Sequence, residues 1–526
     1  MSLQSPPPAA AGALWRDGQQ HVQARRYGEA RRAFEALLAL QPDHLGARML
    51  LASVILAGGR VREAAAQMRE AAAALPDDGA LVARIAQALA QLGETNAARA
   101  CLHHPAVARA RCGPVLTALG HVCQGLGLHA QALALMERAR AGGYDTPDFR
   151  YFHALQLQFN GRLAEAEAGM EACLRRGPTF GRASLSLARI RRQTPQSNHV
   201  GFLRRRLGEV AAGGEDHAAL EFALYKELED LGDLDGAWAA LERGNAVMAA
   251  RLPHDDAAEA RLFAAIERRF DAAFLAARAD PQPGPVPIFI VGLPRSGTTL
   301  LETILGRHPQ VASAGELNDL PKQLRWTADL HGHALLDEPL LEALPSLDFD
   351  LLGRRYLEQS QWRAGDRPFY VDKLPPNFQL VGCIRRALPH AKVVHVVREP
   401  MDVCFSNYRA LFGDAYAYSY EFGRLAAHHR RYARLMRHWH AVAPGFVLDL
   451  PYADLVGDTE AACRRLLAFC GLPFDPRCLD HGGTSGSVAT LSSAQVRQPI
   501  DARGLGAWRR YGERLQPLLE RLQAPA

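Results

Sequence analysis

A short triplet ending in alanine returns every 34 residues through the first part of the chain. Gly28-Glu29-Ala30, Arg62-Glu63-Ala64, Asn96-Ala97-Ala98, Ala130-Gln131-Ala132 and Ala164-Glu165-Ala166 keep this spacing. Turn signals such as Gly58-Gly59, Gly93, Gly125 and Gly161 stand a few residues ahead of them. Apolar residues of helical period follow, as in Ala33, Phe34, Leu37 and Leu38. Pro42, Pro76, Pro147 and Pro178 mark helix boundaries. A helix–turn–helix unit of this kind cannot bury its apolar face alone. Successive units must therefore stack, giving a solenoid with a concave surface. The plain alternative is an ordinary helical bundle. A looser echo of the pattern from Leu231, LGDLDGAWAALERGNA, carries the helical array to about residue 275.

This period and its small residues resemble the tetratricopeptide repeat over residues 12–275. The resemblance implies an all-α solenoid whose groove binds a peptide. It says little about which one.

A different texture begins at Ala279–Pro287, a proline- and glycine-rich break within an expected linker at 276–287. Short apolar runs follow: Ile288–Val291, Phe369–Val371, Lys392–Val397 and Phe446–Leu448. They read as buried strands separated by helical segments, which predicts an α/β domain with a parallel sheet over residues 288–520. At 526 residues the chain exceeds what one core holds, in keeping with two domains.

The net charge of +5 gives no electrostatic reason to expect a nucleic acid or membrane partner. Nine cysteines lack metal-ligand or disulfide spacing and are expected to be reduced thiols. No basic segment followed by an apolar run opens the sequence, and no membrane-length apolar run occurs, so the expectation is a cytoplasmic protein. Lysine stands only at Lys226, Lys322, Lys373 and Lys392, against an arginine-rich background. A lysine at a functional position then suggests a need for a compact ammonium.

Directly after the first apolar run comes Gly292-Leu-Pro-Arg-Ser-Gly-Thr-Thr299, followed by the apolar LLETIL. A glycine-bearing loop between strand and helix brings backbone N–H groups and a helix N-terminus onto a phosphate. Its G-x-x-x-x-G spacing matches a nucleoside-triphosphate loop, but Thr298 stands where that motif has lysine. The run Val394–Val397 ends in Arg398 rather than in a metal-binding aspartate.

FIVGLPRSGTTLLETILGRHPQVASAGE resembles the 5′-phosphosulfate loop of sulfotransferases, most of all the tyrosylprotein branch. The similarity spans residues 286–512 and rests on an ordered series of motifs. It implies 3′-phosphoadenosine 5′-phosphosulfate (PAPS) as co-substrate, no required metal, and an acceptor hydroxyl, with a protein or peptide tyrosine among the candidates. Arg295, Ser296, Gly297, Thr298 and Thr299 would hold the phosphosulfate. Arg398 and Ser406 match the 3′-phosphate pair, a guanidinium and a hydroxyl suited to a dianion. Tyr452 matches a nucleotide-contacting tyrosine, and Gln495, Val496 and Arg497 lie in the family's late nucleotide loop. Glu316 matches the base and Lys373 the residue stabilising the leaving oxygen, with Arg295 sharing that task and Ser492 assisting. Ala507 replaces a lysine of the tyrosylprotein branch, so that contact is either missing or supplied by Arg497, Arg503 or Arg509. Two other readings stay open: a P-loop kinase, and a tetratricopeptide scaffold with an inactive sulfotransferase-like domain. His428 and His429, beside Arg430 and Arg431, read as a solvated basic face.

Overall fold

The 34-residue period becomes a ladder of helical hairpins. The computed structural model describes residues 8–480, 489 and 502–524. Helices begin at Tyr27, Val61, Thr95, His129 and Leu163, each 34 residues after the last. Their partners are Pro8–Gln23, Leu45–Ala57, Gly79–Gln91, Gly113–Gly125 and Pro147–Phe159. The alanines that close the sequence triplets, Ala30, Ala64, Ala98, Ala132 and Ala166, are all 0% exposed. A methyl group is what lets neighbouring helices approach closely at these points. In the fourth hairpin Gly125 ends its helix and Gly127 (φ 78°) makes the left-handed turn.

The described residues form two compact units. One comprises the chain up to Gly143 together with Leu317–Trp362; the other comprises Tyr144–Glu316 and the chain from Arg363 onward. In the first unit, Arg355 donates to Glu94 Oε1 at 2.9 Å and stacks on Trp326 at 4.0 Å. Thr95 donates to Asp319 at 2.9 Å, and Gln323 Nε2 to Gly93 O at 2.6 Å. The segment Leu317–Trp362 is thereby tied to the repeats by buried polar bonds, each expensive to leave unmade. A cavity of ≈ 910 Å³ in this unit is lined by Trp15, Met49, Leu56, Lys322, Arg325 and His331.

The second unit contains the later helices and the sheet. Strands β1 (Val286–Val291), β2 (Val311–Ser313), β3 (Phe369–Asp372), β4 (Lys392–Val397) and β5 (Val447–Pro451) pair in parallel in the order β2-β3-β1-β4-β5. Central β1 is buried on both faces, hence its unbroken apolar run. Ile288, Ile290, Val394 and Val396 pack on one side against Leu301, Ile304, Leu305 and Leu466. His395 faces the other side, where its ring meets Tyr432, which packs in turn on Phe378. The strand VAS of β2 is too short and too small in its residues to register as a strand from sequence.

All nine cysteines are unpaired, and all but Cys112 are buried. Among the described residues no helix is long and apolar enough to cross a membrane.

Candidate functional site

The loop after β1 has an unusual backbone. Gly292 (φ 149°), Arg295 (φ 67°) and Gly297 (φ 112°) all lie at positive φ, and Arg295 does so with a full side chain. Such strain persists only where surroundings enforce it. Asn407 Nδ2 supplies one restraint, donating to Pro294 O at 2.7 Å. Arg398 Nη1 supplies another, donating to Arg295 O at 2.8 Å. At Gly297 a Cβ would stand 2.4 Å from Tyr452 Cδ2, so the ring covers the loop closely and only glycine fits. The helix Thr298–Gly306 then starts with its N-terminus facing the loop.

Most of the expected residues share one cavity of ≈ 920 Å³ at the carboxyl ends of β1 and β4. Arg295, Gly297, Thr298, Thr299, Glu316, Arg398, Ser406 and Tyr452 line it. Ser296 lies beneath, and its buried Oγ has no hydrogen-bond partner among the described residues. Arg398 reaches the cavity from the end of β4. Its Nη2 donates to Gly504 O at 2.5 Å, and its guanidinium lies 4.8 Å from the Tyr452 ring centroid. Ser406 sits in the helix Pro400–Tyr408, whose first turn is capped by Glu399 accepting from Asp402 N at 2.7 Å. Asp402 Oδ2 accepts from Gly506 N at 2.9 Å, which holds the 502–515 segment over the same side.

Lys373 and Glu316 meet although 57 positions separate them: Nζ donates to Oε1 at 2.5 Å. Lys373 is fully buried and Glu316 is 42% exposed to the cavity side. A second carboxylate, Glu302 Oε2, lies 3.6 Å from the ammonium. Glu302 also accepts from Ser313 Oγ at 2.6 Å and Gly315 N at 2.9 Å, fixing the turn that presents Glu316. Sequence reasoning passed over Glu302 and Asn407. An acid inside the otherwise apolar helix LLETIL was the available signal for the first; nothing local marked the second.

Electrostatically the cavity is cationic. Burial pushes the Arg295 guanidinium down to about 9, with Arg409, Arg189 and Arg398 adding repulsion. Arg398 is lowered too, again mainly by burial. Tyr416, also on the lining, has its phenol raised by burial and then by Glu316. Cations gathered with their charge destabilised call for an anion.

Ser492, Gln495, Val496 and Arg497 lie outside the described residues. Near the missing branch lysine, Arg510 lines the cavity, while Arg509 lies over the Trp508 ring at 5.1 Å. His428 is not a solvated residue. It stacks on Tyr418 at 3.6 Å and pairs with Glu259 at 2.8 Å.

Residues 287–476 match the family model described as the sulfotransferase family, and residues 17–79 a tetratricopeptide-repeat model. An uncharacterized protein of Aquifex aeolicus is 34% identical over 341 residues, 62% of this chain but 44% of its own length. The chain thus spans less than half of that relative. A putative protein-tyrosine sulfotransferase of Caenorhabditis briggsae is 25% identical over 228 residues, covering 42% of this chain and 80% of its own. The sulfotransferase domain of the Synechococcus PCC 7002 olefin synthase aligns with 44% of this chain and 90% of its own, at 23% identity and a TM-score of 0.33. The stretch 287–476, which carries the loop after β1 together with Glu316, Arg398, Ser406 and Tyr452, is thus similar to the sulfotransferase family, in one chain with a match to tetratricopeptide repeats.

Proposed function

We propose that the protein is a PAPS-dependent sulfotransferase that delivers a sulfuryl group to an acceptor hydroxyl. The carrying observation is the single cavity lined by Arg295, Thr298, Thr299, Arg398, Ser406, Tyr452 and Glu316. The residues present fit a nucleotide with two anionic ends. Ser296 Oγ is buried with no hydrogen-bond partner among the described residues, an orphaned donor beside the cavity. Arg295 with Thr298 and Thr299 would hold the phosphosulfate, and Arg398 with Ser406 the 3′-phosphate.

PAPS, when bound, supplies the sulfuryl group. Glu316 takes the proton of the acceptor hydroxyl as its oxygen bonds to sulfur. The oxygen left on the 5′-phosphate gains charge as its bond to sulfur breaks, and Lys373 and Arg295 stabilise that charge. Lys373 suits this task because the buried Glu302 stays beside it when Glu316 turns toward a proton, keeping the ammonium partnered. The names of several relatives support a tyrosyl acceptor on a protein or peptide, and the repeats offer a groove that would recruit one.

Calorimetric titration with adenosine 3′,5′-bisphosphate, beside ATP with magnesium, tests this reading. Metal-independent binding of the bisphosphate, weakened in Arg398→Ala, is expected. Binding of ATP–magnesium alone would overturn it in favour of a kinase.

A further inference from the structure

Arg398 is suspended between two backbone carbonyls. Its Nη1 donates to Arg295 O at 2.8 Å and its Nη2 to Gly504 O at 2.5 Å. Its Nε is buried with no hydrogen-bond partner among the described residues. The first carbonyl belongs to the loop after β1, which Asn407 already braces through Pro294 O. The second belongs to the segment 502–515, so the aim of the guanidinium depends on what holds that segment.

Near its start, Gly506 N donates to Asp402 Oδ2 at 2.9 Å. Further along, Tyr511 OH donates to Glu229 Oε1 at 3.1 Å and Arg514 Nη1 to Leu234 O at 3.3 Å. Glu229 and Leu234 stand on the helices Glu215–Leu231 and Leu234–Arg251, outside the sheet. Tyr511 is 4% exposed, and its ring packs against Phe405 at 5.1 Å and Trp238 at 5.4 Å. Phe405 immediately precedes Ser406, the partner of Arg398 in the expected 3′-phosphate pair. A buried phenol needs a partner for its hydroxyl, and Glu229 is that partner. The carboxylate is itself fixed, 11% exposed and 3.6 Å from Arg409. Arg514 also pairs with Asp235, which is 88% exposed, and such a surface pair adds little.

We propose that Glu229 and Tyr511 are positioning residues of the donor site. Through their hydrogen bond the later helices set the segment 502–515, so that Gly504 O aims Arg398 at the 3′-phosphate. This rests on the PAPS reading above. A guanidinium aimed in advance loses less freedom when its anion binds. The effect belongs to the 3′-phosphate end, because the 5′ end is held by the braced loop and the start of the Thr298–Gly306 helix.

The test titrates the full chain with adenosine 3′,5′-bisphosphate and with adenosine 5′-monophosphate, which lacks the 3′-phosphate. Wild type should prefer the bisphosphate. Tyr511→Phe removes one oxygen and keeps the ring packing, so thermal melts should show a folded protein. Its bisphosphate affinity should fall about three- to tenfold, the range of one hydrogen bond, while monophosphate affinity stays within about twofold. Glu229→Ala should show the same selective loss. Glu229→Gln, which restores an acceptor for the hydroxyl, should recover most of it. In an Arg398→Ala background Tyr511→Phe should add no further loss, since both changes act on one contact. An unchanged bisphosphate preference in Tyr511→Phe, an equal loss for both nucleotides, or an additive loss on top of Arg398→Ala would overturn the proposal and leave the PAPS reading standing. If wild type does not prefer the bisphosphate, the PAPS reading itself falls, and the positioning role with it.

Discussion

Lys373 Nζ donates to Glu316 Oε1 at 2.5 Å, while the backbone N–H of Lys373 donates to Gly315 O at 2.9 Å. The two residues are therefore joined twice, once through side chains and once through the backbone just before the carboxylate. Glu302 fixes the same turn from below by accepting from Gly315 N. The carboxylate at the cavity is thus presented by a braced turn and tethered to a buried ammonium, an arrangement that limits its freedom before any substrate arrives.

Replacing Glu316 by Gln keeps the shape and removes the base. Sulfuryl transfer should fall by about 10²- to 10⁴-fold, while calorimetric affinity for adenosine 3′,5′-bisphosphate changes little. Equal loss of both would mean that Glu316 holds the nucleotide or the loop.

Gly297→Ala should be disabling for two independent reasons. The residue sits at φ 112°, and its new methyl would meet Tyr452 Cδ2 at 2.4 Å. Backbone strain alone costs about 1–3 kcal/mol. Bisphosphate binding should be lost, with a lowered melting temperature; a variant that binds normally would show that Tyr452 moves aside freely.

In the repeat-containing unit, Glu94→Ala would leave the guanidinium of Arg355 (7% exposed) without its buried carboxylate, only the exposed Glu358 remaining at 3.9 Å. Breaking a buried pair from one side costs about 3–5 kcal/mol. Denaturant unfolding should show that loss. The replacement of Glu94 and Arg355 together by apolar residues should cost less than Glu94→Ala alone.

His429 should make the fold acid-sensitive. Burial, followed by His428 and Arg430, pushes its imidazole from 6.5 down to about 4. In the unfolded chain it takes up a proton at the ordinary value, so the unfolded state binds more protons between these limits. Stability is full above about pH 6.5 and declines as the pH falls toward 4. Thermal melts across this window should show the decline, and His429→Gln should flatten it.

Much of the site was legible because its signals are local. The loop Gly292–Thr299 announces itself by glycine spacing between a strand and a helix, and Arg398 and Ser406 by their place at a strand end running into a helix. Glu302 and Asn407 were not legible, since an acid and an amide inside helices acquire their roles from partners 13 and 113 positions away. The basic run at His428 misled for the same reason: its partner Glu259 stands 169 positions earlier.

By itself the sequence determined the helical repeat and the alternation of strand and helix. Period and burial pattern are properties of neighbouring residues, as the five wholly buried alanines at 34-residue spacing show. The order β2-β3-β1-β4-β5 and the meeting of Lys373 with two carboxylates came from long-range packing instead. These depend on which distant surfaces bury one another, and no local pattern encodes that choice.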